Sequence, residues 1–401
     1  MVDDKGIYYM PPMKKGWRVT RIGYVCNKLS KPISENSLPL ICSNKGQVAI
    51  RPDDVTGKMV SEDHAMQGIS KGDIAIHGMD TWHGAIAYSH LDGKITRVVH
   101  VCESSEENRY IVYYLQLLAH LGVYKLISNG VRGNTSDFRS WDKVKDIRIS
   151  LPSVEEQRAI ADYLDKKTSE IDAAIKEAQE LIEKYKAYKQ SIITEIVTKG
   201  LNPNVTMKDS GVEWIGEIPK GWSKCRLKYL CEITTGNEDT QNADPDGVYP
   251  FYVRSPQIER CKRYTFDGEG ILIAGDGAGA GRIFHHVFGK YAVHQRVYRL
   301  YNFKIKSTYL HYYLSSIFPN EMDRGSAQST VPSMRLPMLL NFSILVPSNS
   351  EQQTIADYLD DKCAKIDSVI SDKENLISKL QEYKKSIIFE YVTGKKEVPN
   401  G

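Results

Sequence analysis

LPSVEEQRAIADYLDKKTSEIDAAIKEAQELIEKYKAYKQSIITEIVTKG, residues Leu151–Gly200, returns without gaps as VPSNSEQQTIADYLDDKCAKIDSVISDKENLISKLQEYKKSIIFEYVTGK, residues Val346–Lys395, with about half of the positions identical. A repeat this regular sets the architecture. The segments that precede the two copies match each other only in scattered pieces. The chain therefore divides into a variable segment (1–150), a constant block (151–200), a second variable segment (201–345) and a second constant block (346–401).

Each constant block opens with Pro-Ser-x-x-Glu: Ser153 precedes Glu156, and Ser348 precedes Glu351. The serine hydroxyl can accept from the N3 amide while the glutamate reaches back to the cap, which is the signature of a helix start. From there one stripe runs Ile160, Leu164, Thr168, Ile171, Ile175, Ala178, Ile182, Tyr185, Lys189, Ile192, Ile196, in alternating steps of four and three. Its counterpart is Ile355, Leu359, Cys363, Ile366, Ile370, Lys373, Ile377, Leu380, Lys384, Ile387, Tyr391. Such spacing over several heptads predicts a coiled-coil seam. Gly200 and Gly394 stand where a stop belongs, giving helices of about 40 residues and about 60 Å. Equal length and matched polar interruptions at Lys189 and Lys384 make each stripe the simplest partner of the other. Antiparallel pairing would create a pseudo-two-fold axis with the variable segments at opposite ends.

Positions off the stripe also match: Glu156-Gln157 with Glu351-Gln352, and Asp162-Tyr163 with Asp357-Tyr358. A seam needs only its apolar stripe, so these polar identities predict that each block meets the same protein partner. An incompletely diverged duplication would leave the same trace.

The variable segments keep the outline of one mixed α+β fold. Lys15-Gly16-Trp17 corresponds to Lys220-Gly221-Trp222, Ile74–Gly78 to Ile271–Gly275, and Gly84-Ala85-Ile86 to Gly281-Arg282-Ile283, which read as strand, glycine loop, strand. Tyr110–Leu115 and Tyr309–Leu314 predict a short helix in each. The loop GDGAGAG at 275–281 has neither a following Lys-Ser/Thr pair nor a placed acidic ribose partner, so it does not predict a nucleotide site. Polar side chains gather near these loops. In the first segment they are His77, Asp80, Trp82, His83 and Arg97, and in the second Arg254, Asp276, Arg282, His285, Lys290 and Arg296. A further group is Arg132, Asn134, Ser136 and Arg139, matched by Arg324, Ser326 and Gln328. Arg and Lys hold phosphates or guanine acceptors, Asn and Gln suit adenine, and Asp accepts from cytosine, so these are candidate DNA-binding residues.

Lys and Arg number 53 against 50 Asp and Glu, a balance that neither demands nor excludes nucleic acid. No apolar run approaches a membrane span and MVDDKGIYY is not a signal peptide, so a cytoplasmic protein is expected. The 7 cysteines lack CxxC spacing and are expected to be reduced and mostly buried. His285-His286 and His294 lack the spacing of a metal site, there is no HExxH, and Asn202-Pro203-Asn204 stops short of an adenine-methyltransferase motif. No catalytic or metal residues are predicted.

Over essentially its whole length the chain resembles the specificity subunit of a Type I restriction-modification system. The residues that carry this are Pro152-Ser153 with Glu156-Gln157 through Ile160–Asp165, their copy from Pro347 to Asp360, and KDSGVEWIGEIPKGW at 208–222. GDIAIHGMDTWHG and GILIAGDGAGAGR also resemble target-recognition patterns, whereas MPPMKKGW before residue 18 departs from the fuller lead-in found before Trp222. The resemblance implies two globular α/β target-recognition domains separated by a pair of long antiparallel coiled-coil helices, each domain reading half of a split DNA target. It also implies two modification subunits that bring S-adenosylmethionine, and a restriction subunit that uses ATP and Mg. A protein-protein scaffold with two divergent heads and a fused methyltransferase or nuclease are the competing readings, the latter weakened by its missing motifs.

Overall fold

A computed structural model describes residues 13–52, 63–128, 138–212, 215–325 and 332–399. The chain forms two units: residues 1–178 with 375–401, and residues 179–374. The constant blocks form helices Val154–Lys199 and Asn349–Val392, of 46 and 44 residues, somewhat longer than expected because helix continues through Lys199 and Val392. Each helix is divided between the units. The first unit combines the start of the first helix with the end of the second, and the other unit combines the remaining halves.

The serine half of each capping signal forms, since Ser153 Oγ accepts from the Glu156 amide at 3.2 Å and Ser348 Oγ from the Glu351 amide at 3.3 Å. The glutamate half is diverted in the first copy, where Glu156 instead faces Lys14 Nζ at 3.4 Å. The stops differ from the helices that they end. Gly200 and Gly394 have φ of 75° and 68°, a left-handed conformation that glycine adopts at little cost. A Cβ there would also stand 3.2 Å from Trp222 and 2.8 Å from Trp17 respectively.

In the first unit the stripe residues Ile160, Leu164 and Ile171 share a core with Ile387 and Tyr391, and in the second Ile355, Leu359 and Cys363 share one with Ile193 and Val197. Contacts run antiparallel within each unit: the ring of Tyr163 meets that of Tyr391 in a tilted contact at 4.5 Å while Asp172 meets Lys384. Lys189 of the other unit meets Asp367 in the same manner. Lys189 and Lys384, the lysines at matching positions in the two stripes, are thus each satisfied by a carboxylate on the opposing helix.

Each unit holds an equivalent four-stranded antiparallel sheet. In the first its order is Cys26–Lys28, Val99–Ser104, Ile74–His77, Ile86–Tyr88, and in the second Glu232–Thr235, Val297–Tyr301, Gly270–Ala274, Phe284–Val287. Both faces of the central strand are buried, which is why it reads as an apolar run rather than an alternation. Ile74 and Ile76 pack with Tyr110, Tyr114 and Leu115 of helix Asn108–His120, while Ala75 joins Leu40, Ala87 and Val101 on the other face. Ile271 and Ile273 pack likewise with Tyr309, Tyr313 and Leu314 of helix Ser307–Gly325, and Leu272 joins Val287 and Val293. Two short antiparallel pairs, Arg18–Arg21 with Arg148–Leu151 and Ser223–Arg226 with Ser343–Val346, have corresponding registers. The additional strands differ. The first unit adds two separate antiparallel pairs, the hairpin Leu40–Ser43 with Gln47–Ile50 and the non-consecutive strands Met66–Ile69 with Gly93–Thr96, whereas the second adds a mixed four-stranded sheet with one parallel pairing.

The sheet-covering helices are anchored by matching hydrogen bonds. Tyr110 Oη donates to Ser150 O and Tyr309 Oη to Leu345 O, both at 2.9 Å. Tyr113 Oη and Tyr312 Oη donate to Asp165 and Asp360 on the long helices at 2.8 and 2.7 Å. Six of the 7 cysteines are buried and Cys225 is half-buried, all as thiols. No helix among the described residues is long and apolar enough to cross a membrane.

Candidate nucleic-acid interface

In each sheet the central strand ends in a loop, and that loop meets the segment after the following helix. In the first unit His77 closes the strand, and its Nδ1 accepts the amides of Met79 and Asp80 at 3.3 and 3.2 Å. An Nδ1 that accepts carries no proton, and burial pushes the His77 pKa down, so its 3.3 Å approach to Asp80 Oδ2 is a neutral contact. Trp82 is fixed by Nε1 donating to Ser128 Oγ at 3.2 Å, and His83 is exposed. Arg139 lies against Met79, with its guanidinium 2.7 Å from Sδ, so the two candidate groups of this segment converge. Arg97 projects from the turn before Val99, with Nε donating to His64 O at 3.3 Å.

In the second unit the glycine loop packs into the fold. A Cβ on Gly279 would meet Arg254 O at 2.8 Å, and one on Gly281 would meet Met322 at 2.4 Å. These glycines allow the loop to pack closely against its neighbours. Asp276 gathers two arginines: Arg254 Nη1 lies 3.0 Å from Oδ1 and Arg296 Nε 3.8 Å from Oδ2. The Asp276 backbone also forms an isolated antiparallel β-bridge with Ser333, beyond the helix. Arg282 pairs with Asp323. Lys290 stacks over the Tyr264 ring at 4.7 Å.

His285 differs from the rest. Its Nε2 is buried without a hydrogen-bond partner in the described structure, its ring packs on Tyr252 at 5.0 Å, and burial lowers its pKa. Arg132, Asn134 and Gln328 lie outside the described residues, as does the side chain of Arg324. No cluster of three or more His, Cys, Asp or Glu suited to a metal occurs among the described residues.

The matched positions on the long helices separate into two kinds. Gln157 and Gln352, expected to meet a protein partner, are 0% and 1% exposed and so do not face one. Gln157 Nε2 donates to Pro152 O at 3.0 Å and its Oε1 accepts the Glu107 amide at 3.1 Å. Gln352 repeats this with Pro347 O and the Lys306 amide, both at 2.9 Å. Each glutamine staples a long helix to the start of the sheet-covering helix, and this internal duty explains the identity without a partner. Asp162 is exposed and accepts from Arg109 at 2.7 Å, while Tyr163 is half-buried against Tyr391. Asp357 and Tyr358 are exposed, and Glu156 and Glu351 are half-buried.

Sequence reasoning missed Gln295. It is exposed beside Arg296, its Nε2 donates to Asp239 Oδ2 at 2.8 Å, and only the sheet register reveals its equivalence to Arg97.

The chain matches, twice, the family model described as Type I restriction modification DNA specificity domain, over residues 14–184 and 219–379. It is 28% identical over 173 residues to the Type I restriction enzyme EcoDI specificity subunit of Escherichia coli, covering 43% of this chain and 38% of that protein. It is 27% identical over 281 residues to the MjaVIII specificity subunit of Methanocaldococcus jannaschii, covering 64% of each. The matches thus span less than two thirds of these relatives. Among solved structures, a chain from work on complex assembly and conformational transition of the type I R-M system superposes with a TM-score of 0.71 at 16% identity, covering 96% of this chain and all of that one. The HsdS subunit from Thermoanaerobacter tengcongensis gives 0.50 at 18%, covering 96% and 98%. At these identities the likeness is one of fold.

Proposed function

The chain belongs to the Type I restriction modification DNA specificity family, and from that premise we propose that it is a non-catalytic recognition subunit for a two-part, asymmetric duplex DNA target. The observation that carries this reading is one sheet-and-helix scaffold present twice, with different polar side chains at corresponding loops: Asp80, Trp82 and Arg97 in one copy, Asp276, Gln295 and Arg296 in the other. Shared backbone and divergent hydrogen-bonding groups suit two readers of unlike sequences. The clustered arginines supply phosphate contacts or guanine contacts.

Catalysis belongs, on this proposal, to partners: two modification subunits carrying S-adenosylmethionine and a restriction subunit using ATP and Mg. The exposed or half-buried Glu156, Asp162, Tyr163, Glu351, Asp357 and Tyr358 remain the proposed partner contacts. The buried glutamines do not belong to that surface.

The test is to purify the tagged full chain with the subunits that accompany it in its host, and to titrate random duplex DNA across a salt series. Counterion release makes the logarithm of affinity fall linearly with the logarithm of salt concentration. Mapping N6-methyladenine in cells with and without this chain should show one split motif that depends on it. Absence of duplex binding, with partners still captured, would instead support a protein scaffold. Methyl transfer by the chain alone would refute the non-catalytic role.

A further inference from the structure

The turn that enters the long central strand is built identically in the two units. In the first it is Thr96-Arg97-Val98-Val99, and in the second His294-Gln295-Arg296-Val297. The Arg97 amide donates to Ala65 O at 3.1 Å, and the Gln295 amide to Glu238 O at 2.8 Å. Val98 N donates back to Thr96 Oγ1 at 3.4 Å, and Arg296 N to His294 Nδ1 at 3.0 Å. Gly78 N donates to Val98 O at 3.0 Å, and Gly275 N to Arg296 O at 2.8 Å. Three matched positions of the turn are thus pinned by matched bonds, and the one at which both units expose a polar side chain is Arg in one unit and Gln in the other.

Both side chains are also oriented from behind. Arg97 Nε is held by His64 O, which directs the planar fork of the guanidinium. Gln295 Nε2 faces Asp239 Oδ2. A carboxylate only accepts, so the amide nitrogen must be the atom that faces it, and the amide is thereby set in one of its two flips. An amide so set presents an N–H beside a carbonyl oxygen, the pair that matches adenine N7 and N6, whereas a guanidinium fork matches guanine N7 and O6.

We infer that Arg97 and Gln295 are equivalent specificity-determining residues, Arg97 reading a guanine in one half of the target and Gln295 an adenine in the other, with Asp239 as the positioning residue for Gln295. This rests on the DNA-recognition reading above. Neither side chain takes part in the backbone bonds of its turn, so exchanging them leaves the scaffold intact.

The test uses the tagged full chain with its co-purifying subunits and selects bound duplexes from a randomised library. Gln295→Arg should convert one adenine of one half-site to guanine and leave the other half unchanged. Arg97→Gln should convert one guanine to adenine in the opposite half. A bidentate pair discriminates by roughly 5- to 150-fold, which selection followed by sequencing resolves. Asp239→Asn, which allows the amide to flip, should weaken the adenine preference at that same position without moving it elsewhere.

An unchanged motif in both exchange variants overturns the inference and leaves the DNA reading standing. A uniform loss of binding over all sequences, with a shallower salt slope, also overturns it by making these side chains phosphate contacts. Failure of the unmodified complex to enrich any motif refutes the DNA reading itself, and the inference with it.

Discussion

Lys384 spans from the second long helix to Asp172 on the first, with Nζ 2.7 Å from both carboxylate oxygens. The repeat reproduces the pair in reverse, Lys189 lying 2.7 and 2.6 Å from the oxygens of Asp367. A lysine in an apolar stripe is unfavourable unless its ammonium is paired or reaches water, and here it does both. The same pairing ties the two antiparallel helices together at equivalent positions in each unit.

Both pairs are partly solvated, so each contributes about 0.2–1 kcal/mol. Asp172→Lys should destabilise the fold, and adding Lys384→Asp should recover most of the loss. Urea unfolding midpoints of the two single variants and the double variant measure this coupling. Additive losses would show that the pair contributes no coupling energy.

Gln157→Ala and Gln352→Ala should each cost about 1–3 kcal/mol, since each strands a buried backbone amide and a proline carbonyl. Partner capture by the surviving folded protein should be unaffected at matched stability. Thermal unfolding and light-scattering stoichiometry read the two effects separately.

Burial, reinforced by His286 and His285, pushes the His311 pKa from 6.5 down to about 4. As pH falls, the unfolded chain therefore takes up the proton first. The stability associated with the neutral ring is complete above about pH 6.5 and is lost between there and about pH 4, at about 1.4 kcal/mol per pKa unit. His311→Gln should flatten that segment of the stability curve, and a variant curve parallel to the original would contradict the assignment.

Asp276 holds Arg254 and Arg296 at the mouth of the glycine loop. Asp276→Asn removes the charge that competes with DNA for both. It should raise affinity for random duplex and steepen the salt dependence, by up to about two counterions if both arginines engage phosphates. Fluorescence anisotropy at several salt concentrations tests this, and an unchanged slope would place the arginines away from the backbone.

The long helices were legible because their signals are local: a cap, a 4-3 stripe and a glycine stop all lie within fifty residues. The sheet's central strand was legible for a similar reason, as an apolar run bounded by glycine. Gln157 and Gln352 were misread because polar identity looks the same whether a side chain faces solvent or satisfies buried amides. What decides between them is the approach of Glu107 and Lys306, distant in sequence. Gln295 went unseen because its equivalence to Arg97 depends on pairing between strands, and flanking sequence does not align the two turns. His285 looked like a surface donor, but the ring of Tyr252 covers it from another strand.

The division of each long helix between the units puts the copied segment and the folded segment out of phase. The first repeat ends near residue 200, where the second begins, yet the first core closes only when residues beyond 374 return to it. A half-length chain would begin life with an apolar groove where Ile387 and Tyr391 belong, and the end of its own helix carries Ile192 and Ile196 at those repeat positions. Two such half-chains could exchange helix ends and fill one another's grooves. A single polypeptide that carries both copies supplies each core with its missing helix end from within the same chain, and leaves the two heads free to diverge.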